Sequence, residues 1–287
     1  FLIDALDGVD GSSPITVYPK FALLQMRKRT KKDCSGCSAC ADICPVSAIS
    51  MKADQEGFLY PEIDEAKCIH CGKCDKICGF TPKDTAEVGF EFPRAYGVKH
   101  KNEATRLTSR SGAAFIAFSD FVLDKGGVIY GAAMQEDFSV RHVRAESKEI
   151  RDLMKGAKYV QSNATGICPQ VAEDLTNGKM VLFSGTPCQV SGLHTMLDAK
   201  KVSKENLICC DLVCHGTPSP AVWKDYIAFI EKKHSSAVRK ADFRDKSFGW
   251  DSHCESFILE NGKKIVSRDY TDLFYDHIMM RPSCHNC

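Results

Sequence analysis

The sequence predicts a small cysteine-rich α+β module followed, across a linker, by an α/β domain with a mixed, partly parallel sheet. Three observations carry this. Cys34-x-x-Cys37-x-x-Cys40-x-x-x-Cys44 recurs as Cys68-x-x-Cys71-x-x-Cys74-x-x-x-Cys78. Pro82, Gly89 and Pro93 then punctuate a stretch without apolar periodicity. Beyond it, apolar segments of helical and strand period alternate to the end of the chain.

Taken in order, residues 1–25 show no pattern and stand as an unassigned segment. Residues 26–82 form the cysteine-rich module. Between its two runs Asp54-Gln55-Glu56-Gly57 reads as a hairpin turn, leading into Phe58-Leu59-Tyr60-Pro61. Residues 83–95 are the linker, and 96–287 the second domain. There Ala113–Leu123 is apolar at helical spacing and stops at Gly126-Gly127. Val128–Ala132 and Ser139–Val143 read as strands, and Pro169–Leu175 as a helix. Met180–Phe183 is a short strand that feeds, through a turn, the helix Pro187–Leu197. Leu207–Val213 reads as a buried strand and Ala221–Lys233 as an amphipathic helix. Residues 254–267 read as a hairpin turning at Asn261-Gly262.

Composition narrows the function classes. A net charge of +1 gives no general attraction to nucleic acid. The run Arg27, Lys28, Arg29, Lys31, Lys32 reads as a solvated segment. Asp4, Asp7 and Asp10 occupy the start, where a secretory signal would be basic and then apolar. The longest apolar candidate, Ala113 to Leu123, is broken by Ser119 and Asp120, so no membrane span is expected. Sixteen cysteines in 287 residues fall below the ~8–10% of small secreted scaffolds. A reducing, cytoplasmic setting is expected, in which clustered thiols bind metal. A start at Phe1 and an end on Cys287 suggest a piece of a longer reading frame.

The spacing of the two runs is that of a bacterial-type ferredoxin holding two 4Fe–4S clusters. Three closely spaced thiolates wrap one cubane, and the fourth cysteine ligates the other cubane. The first cluster is expected on Cys34, Cys37, Cys40 and Cys78, the second on Cys68, Cys71, Cys74 and Cys44. Pro45 follows Cys44 as in the usual signature, whereas Gly79 stands in the second proline position. Zinc modules instead use Cys-x-x-Cys pairs separated by longer loops. Residues 33–82 hold eight acidic residues and four lysines, a net charge of −4, so a basic redox partner is expected, with the chain's own second domain as one candidate.

Eight cysteines remain. Val181 to Cys188 reads as strand, tight turn and helix start, with Thr186 as cap and Pro187 at the first position. Cys188 then lies in a first turn, where the helix dipole favours a thiolate. Leu207 to Cys214 is a second strand exit, and parallel strands share one exit edge. Cys188 and Cys214 can therefore meet, and Cys284-x-x-Cys287 would complete a third set of four. The alternative is that lone cysteines are buried small hydrophobes. That reading is kept for Cys168, Cys209, Cys210 and Cys254. Cys209 and Cys210 face opposite sides of one strand.

The second domain resembles the beta subunit of coenzyme F420 hydrogenase/dehydrogenase, an iron–sulfur flavoprotein family. The resemblance rests on Ser111-Gly112, on Gly127-Val128-Ile129-Tyr130-Gly131 and on Gly156-Ala157-Lys158-Tyr159-Val160-Gln161-Ser162. It continues in Ser184-Gly185-Thr186-Pro187-Cys188-Gln189, Cys214-His215-Gly216, Phe243-Arg244-Asp245-Lys246, Gly249-Trp250 and Arg281-Pro282-Ser283-Cys284-His285-Asn286-Cys287. It spans nearly the whole chain after the linker, and the fused ferredoxin module also resembles members of that family. It implies FAD, and a third 4Fe–4S cluster on Cys188, Cys214, Cys284 and Cys287. A flavin dinucleotide needs amides, hydroxyls and a cation, for which Ser111, Gly112, Lys158, Ser162 and Thr186 are candidates. Lys158 also reads as a surface lysine, and Ser111-Gly112 as a cap for the next helix. No G-x-G-x-x-G fingerprint supports a Rossmann-type site. Gly112-Ala113 stands where the family often has two glycines. The chain also stops before a further C-terminal motif of the family, so the flavin domain is expected to be truncated. Cys214-His215-Gly216 is closer to a broad bacterial branch, in which use of coenzyme F420 is open.

The implied function is a relay. A hydride-type donor or acceptor, reduced coenzyme F420 or similar, reacts at FAD, and single electrons pass through the clusters to a partner protein or small carrier. The alternatives are a non-catalytic electron carrier and an accessory redox protein of a biosynthetic pathway.

Overall fold

The computed structural model describes residues 30–79, 95–249 and 252–287. The segment 1–25, nearly all of the linker 83–95, and Trp250 lie outside the described residues.

The 34-residue repeat is a structural repeat. Helices α1 (Ala39–Asp42) and α2 (Lys73–Ile77) follow matching N-cap residues, Ser38 and Gly72, both left-handed at φ 67°. Glycine takes that conformation freely, whereas serine pays for it. Between them β1 (Ile49–Ala53) and β2 (Leu59–Ile63) pair antiparallel, Ile49 opposite Ile63 and Ala53 opposite Leu59. Asp54 closes the expected turn, its Oδ1 accepting from the amides of Glu56 and Phe58 at 3.0 Å each.

The second domain opens with α3 (Glu103–Leu107) and α4 (Ala114–Asp124), followed by β3 (Val128–Met134) and β4 (Val140–Ala145). Then come α5 (Lys148–Asp152), β5 (Ser162–Asn163), α6 (Ile167–Thr176), β6 (Val181–Gly185), α7 (Pro187–Lys200) and β7 (Leu207–Asp211). The five strands form one mixed sheet in the order β5-β4-β3-β6-β7, antiparallel only between β3 and β4. β3 is buried on both faces, as a central strand under helices must be. The chain continues through α8 (Pro220–His234) to the antiparallel sheet of β8 (Val238–Asp242), β9 (Glu255–Leu259) and β10 (Lys264–Ser267), then α9 (Asp269–Tyr275). Asn261 and Gly262 lie in the expected turn between β9 and β10.

Two expectations are corrected. The strand read as Leu207–Val213 ends at Asp211, and Leu212 and Val213 are exposed, because the chain turns off the sheet edge there. Ser111 does not cap the following helix: α4 starts from Ala113, itself left-handed, with no side-chain cap.

One core joins the two parts. Ala39, Ile43 and Ile77 of the cysteine-rich module pack with Val171, Leu175, Phe183, Leu193 and Met196 under the mixed sheet. The β1–β2 hairpin tip also docks at the start of α8. There Glu56 O accepts from Ser219 Oγ (2.6 Å) and Ala221 N (3.2 Å), and a side chain at Gly57 would meet Ala221 N at 2.9 Å.

Candidate metal centre

The parallel strands β6 and β7 deliver their C-terminal ends to one edge. Pro187 opens α7 there, and Gln189 Oε1 accepts the N–H of Thr186 at 3.0 Å. Thr186 Oγ1 lies 3.0 Å from Cys188 Sγ. Leu212 N donates to Gly185 O (3.1 Å), holding the exit of β7 beside that of β6. Cys214 follows, exposed.

The last cysteines return to this edge along the backbone. Pro218 and Met280 form an antiparallel bridge, and Arg281 N donates to Thr217 O at 2.8 Å. Gly216 (φ 150°) admits no side chain, because Met280 Sδ occupies that space. A 3₁₀ turn, Pro282–Asn286, then carries Cys284, whose Sγ accepts from Thr217 N at 3.3 Å. Cys188, Cys214, Cys284 and Cys287 so converge. Although Cys214 reaches the surface, the protein packed around its thiol, and then the neighbouring Cys188, Cys284 and Cys287, push it up to about 11. Burial also raises Cys188, despite the Thr186 hydroxyl, with Cys284 adding to the rise. Crowded, desolvated thiols of this kind become thiolates when a metal supplies the compensating charge.

The first ferredoxin run faces this centre. Cys37 is pushed up to about 11 by burial, and by Cys188 and Cys34 beside it. A Cβ on Gly192 of α7 would lie 3.0 Å from Cys37 Sγ and 3.3 Å from Ala39 Cβ, so this glycine sets the approach of helix to run. Cys40 is raised well above its usual range by burial, then by Cys37, Cys34 and Cys74, which links the two runs. The second run lies outward: Cys71 is exposed and Ile69 is 60% exposed. Cys44 Sγ accepts from Ala48 N at 3.2 Å.

Spacing tests these donor sets. Among the described residues, the metal-ligating atoms found within 4.8 Å of one another are those of Glu65, Cys68 and His70. A four-thiolate zinc ion would hold its sulfurs about 3.8 Å apart, from bonds of about 2.3 Å. Among the described residues, no three cysteine sulfurs lie that close to one another. Of the cysteines read as packing groups, Cys168 is buried, and Cys209 and Cys210 join opposite faces of the sheet.

The five flavin candidates do not form a single cradle. Lys158 Nζ donates to the carbonyls of Met154 (2.8 Å), Lys155 (2.9 Å) and Gly156 (3.3 Å). All three of its protons are thus engaged within its own loop, and burial brings it down to about 7. Ser162 Oγ is 2.7 Å from His142 Nδ1, and Thr186 is held by Cys188 and Gln189. Gly112 is a glycine because the Val98 backbone would strike any Cβ, and its carbonyl accepts from His100 N at 2.6 Å. Ser111 opens on two cavities: one of about 310 Å³, which Gly112 also lines, with Lys99, Glu103, Arg106 and Leu107, and a small one with Arg110, Arg244, Asp245 and Lys246. Beside it Ser109 Oγ and Arg110 Nε are buried without hydrogen-bond partners. The cations and unpartnered donors here fit the diphosphate of a dinucleotide, with the carboxylates of Glu103 and Asp245 set against it on the same walls; Lys158, Ser162 and Thr186 are taken up by their own neighbours.

Several residues of this edge escaped sequence reading. His142 stacks on Phe183 at 5.4 Å, with Nε2 3.1 Å from Ser184 O, and burial lowers it to about 4. Its neutral ring therefore donates from Nε2 to that carbonyl and accepts from Ser162 at Nδ1. Gln161, Gly192 and Arg281 also lie between the two cysteine regions. Gln161 and Arg281 stand in stretches that carry the family resemblance, but no role could be read for any of the three, because each partner is remote in sequence.

Comparison with known proteins gives matches over both parts of the chain. Residues 178–287 match the family model for the C terminus of the coenzyme F420 hydrogenase/dehydrogenase beta subunit, and residues 33–81 match that of the 4Fe-4S dicluster domain. The chain is 32% identical over 88 residues to NADH-quinone oxidoreductase subunit I of Pelobacter propionicus, covering 28% of this chain and 46% of that protein. It is 23% identical over 267 residues to the F subunit of the F(420)H(2) dehydrogenase of Methanosarcina mazei, covering 85% of this chain and 73% of that one. The chain thus spans about half the length of the first of these relatives. A solved F420-reducing [NiFe] hydrogenase complex from Methanosarcina barkeri contains a chain 16% identical, with a TM-score of 0.47, over 66% of this chain and 63% of that one.

Proposed function

We propose that this chain, which joins a 4Fe–4S dicluster domain to a C-terminal domain of the coenzyme F420 hydrogenase/dehydrogenase beta-subunit type, is an oxidoreductase subunit that relays electrons through three 4Fe–4S clusters. The observation that carries this is the convergence of Cys188, Cys214, Cys284 and Cys287 on one strand edge, with Cys37 of the first ferredoxin run against them. Cys34, Cys37, Cys40 and Cys78 would hold the middle cluster. Cys68, Cys71, Cys74 and Cys44 would hold the outer one, whose exposed Cys71 and Ile69 suit electron exchange with a partner protein or small carrier.

FAD, when bound, would exchange a hydride with a reduced-coenzyme-F420-like donor or acceptor and single electrons with the clusters. Ser111 and Arg110 would anchor its diphosphate. The protein's own work is to hold three thiol sets in series and to set their potentials. Anaerobic analysis of iron, acid-labile sulfide and flavin on one sample tests this. About twelve iron atoms per chain are expected for three clusters, and about eight would remove the inner one.

The engagement of Lys158, Ser162 and Thr186 by their own neighbours supports a second reading, a carrier without hydride chemistry. Hydride transfer from reduced deazaflavin or nicotinamide to a viologen dye separates the two.

A further inference from the structure

Arg281 is the largest buried cation of the described chain that the relay leaves without a role. Its side chain is fully buried, at 0% exposure. Nε donates to Cys34 O at 2.6 Å and Nη2 to Leu59 O at 3.0 Å. The guanidinium lies 4.1 Å from the ring centre of Tyr60 and 5.4 Å from that of Phe58. Nη1 is buried with no hydrogen-bond partner, and among the described residues no carboxylate pairs with this group. A Cβ on Gly36 would come within 2.8 Å of Nη1, so the unpartnered N–H group lies against the Cys34–Cys37 loop. The backbone of Arg281 belongs to the other centre: its carbonyl accepts from Cys284 N at 2.9 Å.

A buried charge without a counter-charge is costly, and truncating the residue would not leave another one behind. The guanidinium touches carbonyl oxygen, ring faces and the Cys34–Cys37 loop, while the backbone of the same residue bonds to Cys284 of the other thiol set. We propose that Arg281 is the fixed counter-cation shared by the first ferredoxin cluster and the Cys188/Cys214/Cys284/Cys287 cluster, and that it raises the reduction potential of both. This rests on the three-cluster reading above. The chemistry is charge balance: reduction adds one electron, and so one negative charge, to a cluster, and a nearby fixed positive charge in a water-poor site stabilises the reduced form. Carbonyl and ring contacts hold the cation in place without neutralising it. Arg281 is thus a positioning and tuning residue, not a catalytic one.

Gln161 supplies an independent variant. It is buried at 7% exposure, its Oε1 accepts from Leu59 N at 3.0 Å, and its amide nitrogen crowds the same side of Gly36 as Arg281 Nη1. Gln161→Glu places a carboxylate beside the guanidinium without touching it. The test is a dithionite titration, followed by electron paramagnetic resonance, of the full-length chain loaded anaerobically with its iron and sulfide counted. At a fixed ambient potential, Arg281→Gln and Gln161→Glu should each lower the reduced-to-oxidised ratio of two clusters tenfold or more, equivalent to about 59 mV or more. The outer cluster should change less than about twofold, and Arg281→Lys, which keeps the charge, should stay close to the parent. If Arg281→Gln loses iron, Gln161→Glu decides. A chain with about twelve irons whose potentials do not move in Gln161→Glu overturns the tuning role and leaves the relay standing. A parent chain with about eight irons overturns both.

Discussion

Gly192 offers the sharpest test of how the cysteine runs are packed. It lies in α7 one turn after Cys188, and its missing side chain leaves room for Cys37: an added Cβ would be 3.0 Å from Cys37 Sγ and 3.3 Å from both Cys37 Cβ and Ala39 Cβ. Two effects oppose each other. Replacing a helix glycine by alanine gains about 1 kcal/mol of propensity. Forcing a methyl into a packed contact costs about 1–3 kcal/mol, and a sulfur bound to iron cannot rotate away. Gly192→Ala should therefore fall between neutral and a loss of about 2 kcal/mol. Gly192→Val gains less propensity, adds two further methyls, and should lose about 2–3 kcal/mol. The readout is chelator-driven iron release from the anaerobically loaded chain. At about 1.4 kcal/mol per decade, Gly192→Val should release the inner clusters at least tenfold faster, in a phase separate from the outer cluster. Release from Gly192→Val at the parent rate, or equally fast from all clusters, would refute the packing argument.

Three further outcomes are expected. Cys188→Ser should leave a chain with about eight irons and unchanged signals from the ferredoxin runs, by iron analysis and electron paramagnetic resonance. His142, lowered by burial to about 4 from an unfolded value near 6.5, binds fewer protons folded than unfolded, so its contribution is complete above pH 6.5 and lost as pH falls towards 4. Urea unfolding should thus show a loss of roughly 2 kcal/mol between pH 6.5 and 5 beyond that of His142→Gln. Trp223, 2% exposed, packs 4.4 Å from Phe243 and 4.9 Å from Tyr270 and donates to Phe138 O at 3.0 Å; Trp223→Ala should cost about 3–5 kcal/mol by circular dichroism in urea.

The cysteine runs and the alternation of helix and strand were legible because their signals are local. A thiol spacing, a Pro187 after a capping residue, or an Asn261-Gly262 turn acts over a few residues, and the sequence displays it directly. The strand exits at Cys188 and Cys214 could also be placed on one edge, since parallel strands share their C-terminal end. Less was legible where one residue type serves two ends. Gly112 and Lys158 read as cofactor contacts; the Val98 backbone explains why the first has no side chain, though it still lines the cavity beside Ser111, and three loop carbonyls engage the second. Leu212 and Val213 read as strand by their apolarity, but strand length is set by pairing, and β6 offers no partner beyond Gly185.

The sequence by itself determined which thiols exist and how each run folds around its own ligands. Only the tertiary structure decided how the sets stand to one another: Cys37 beside Cys188, and Arg281 between Cys34 and Cys284. Those relations join residues up to 247 positions apart. They follow from burying one apolar core beneath both parts, a property of the assembled surfaces that no local spacing encodes.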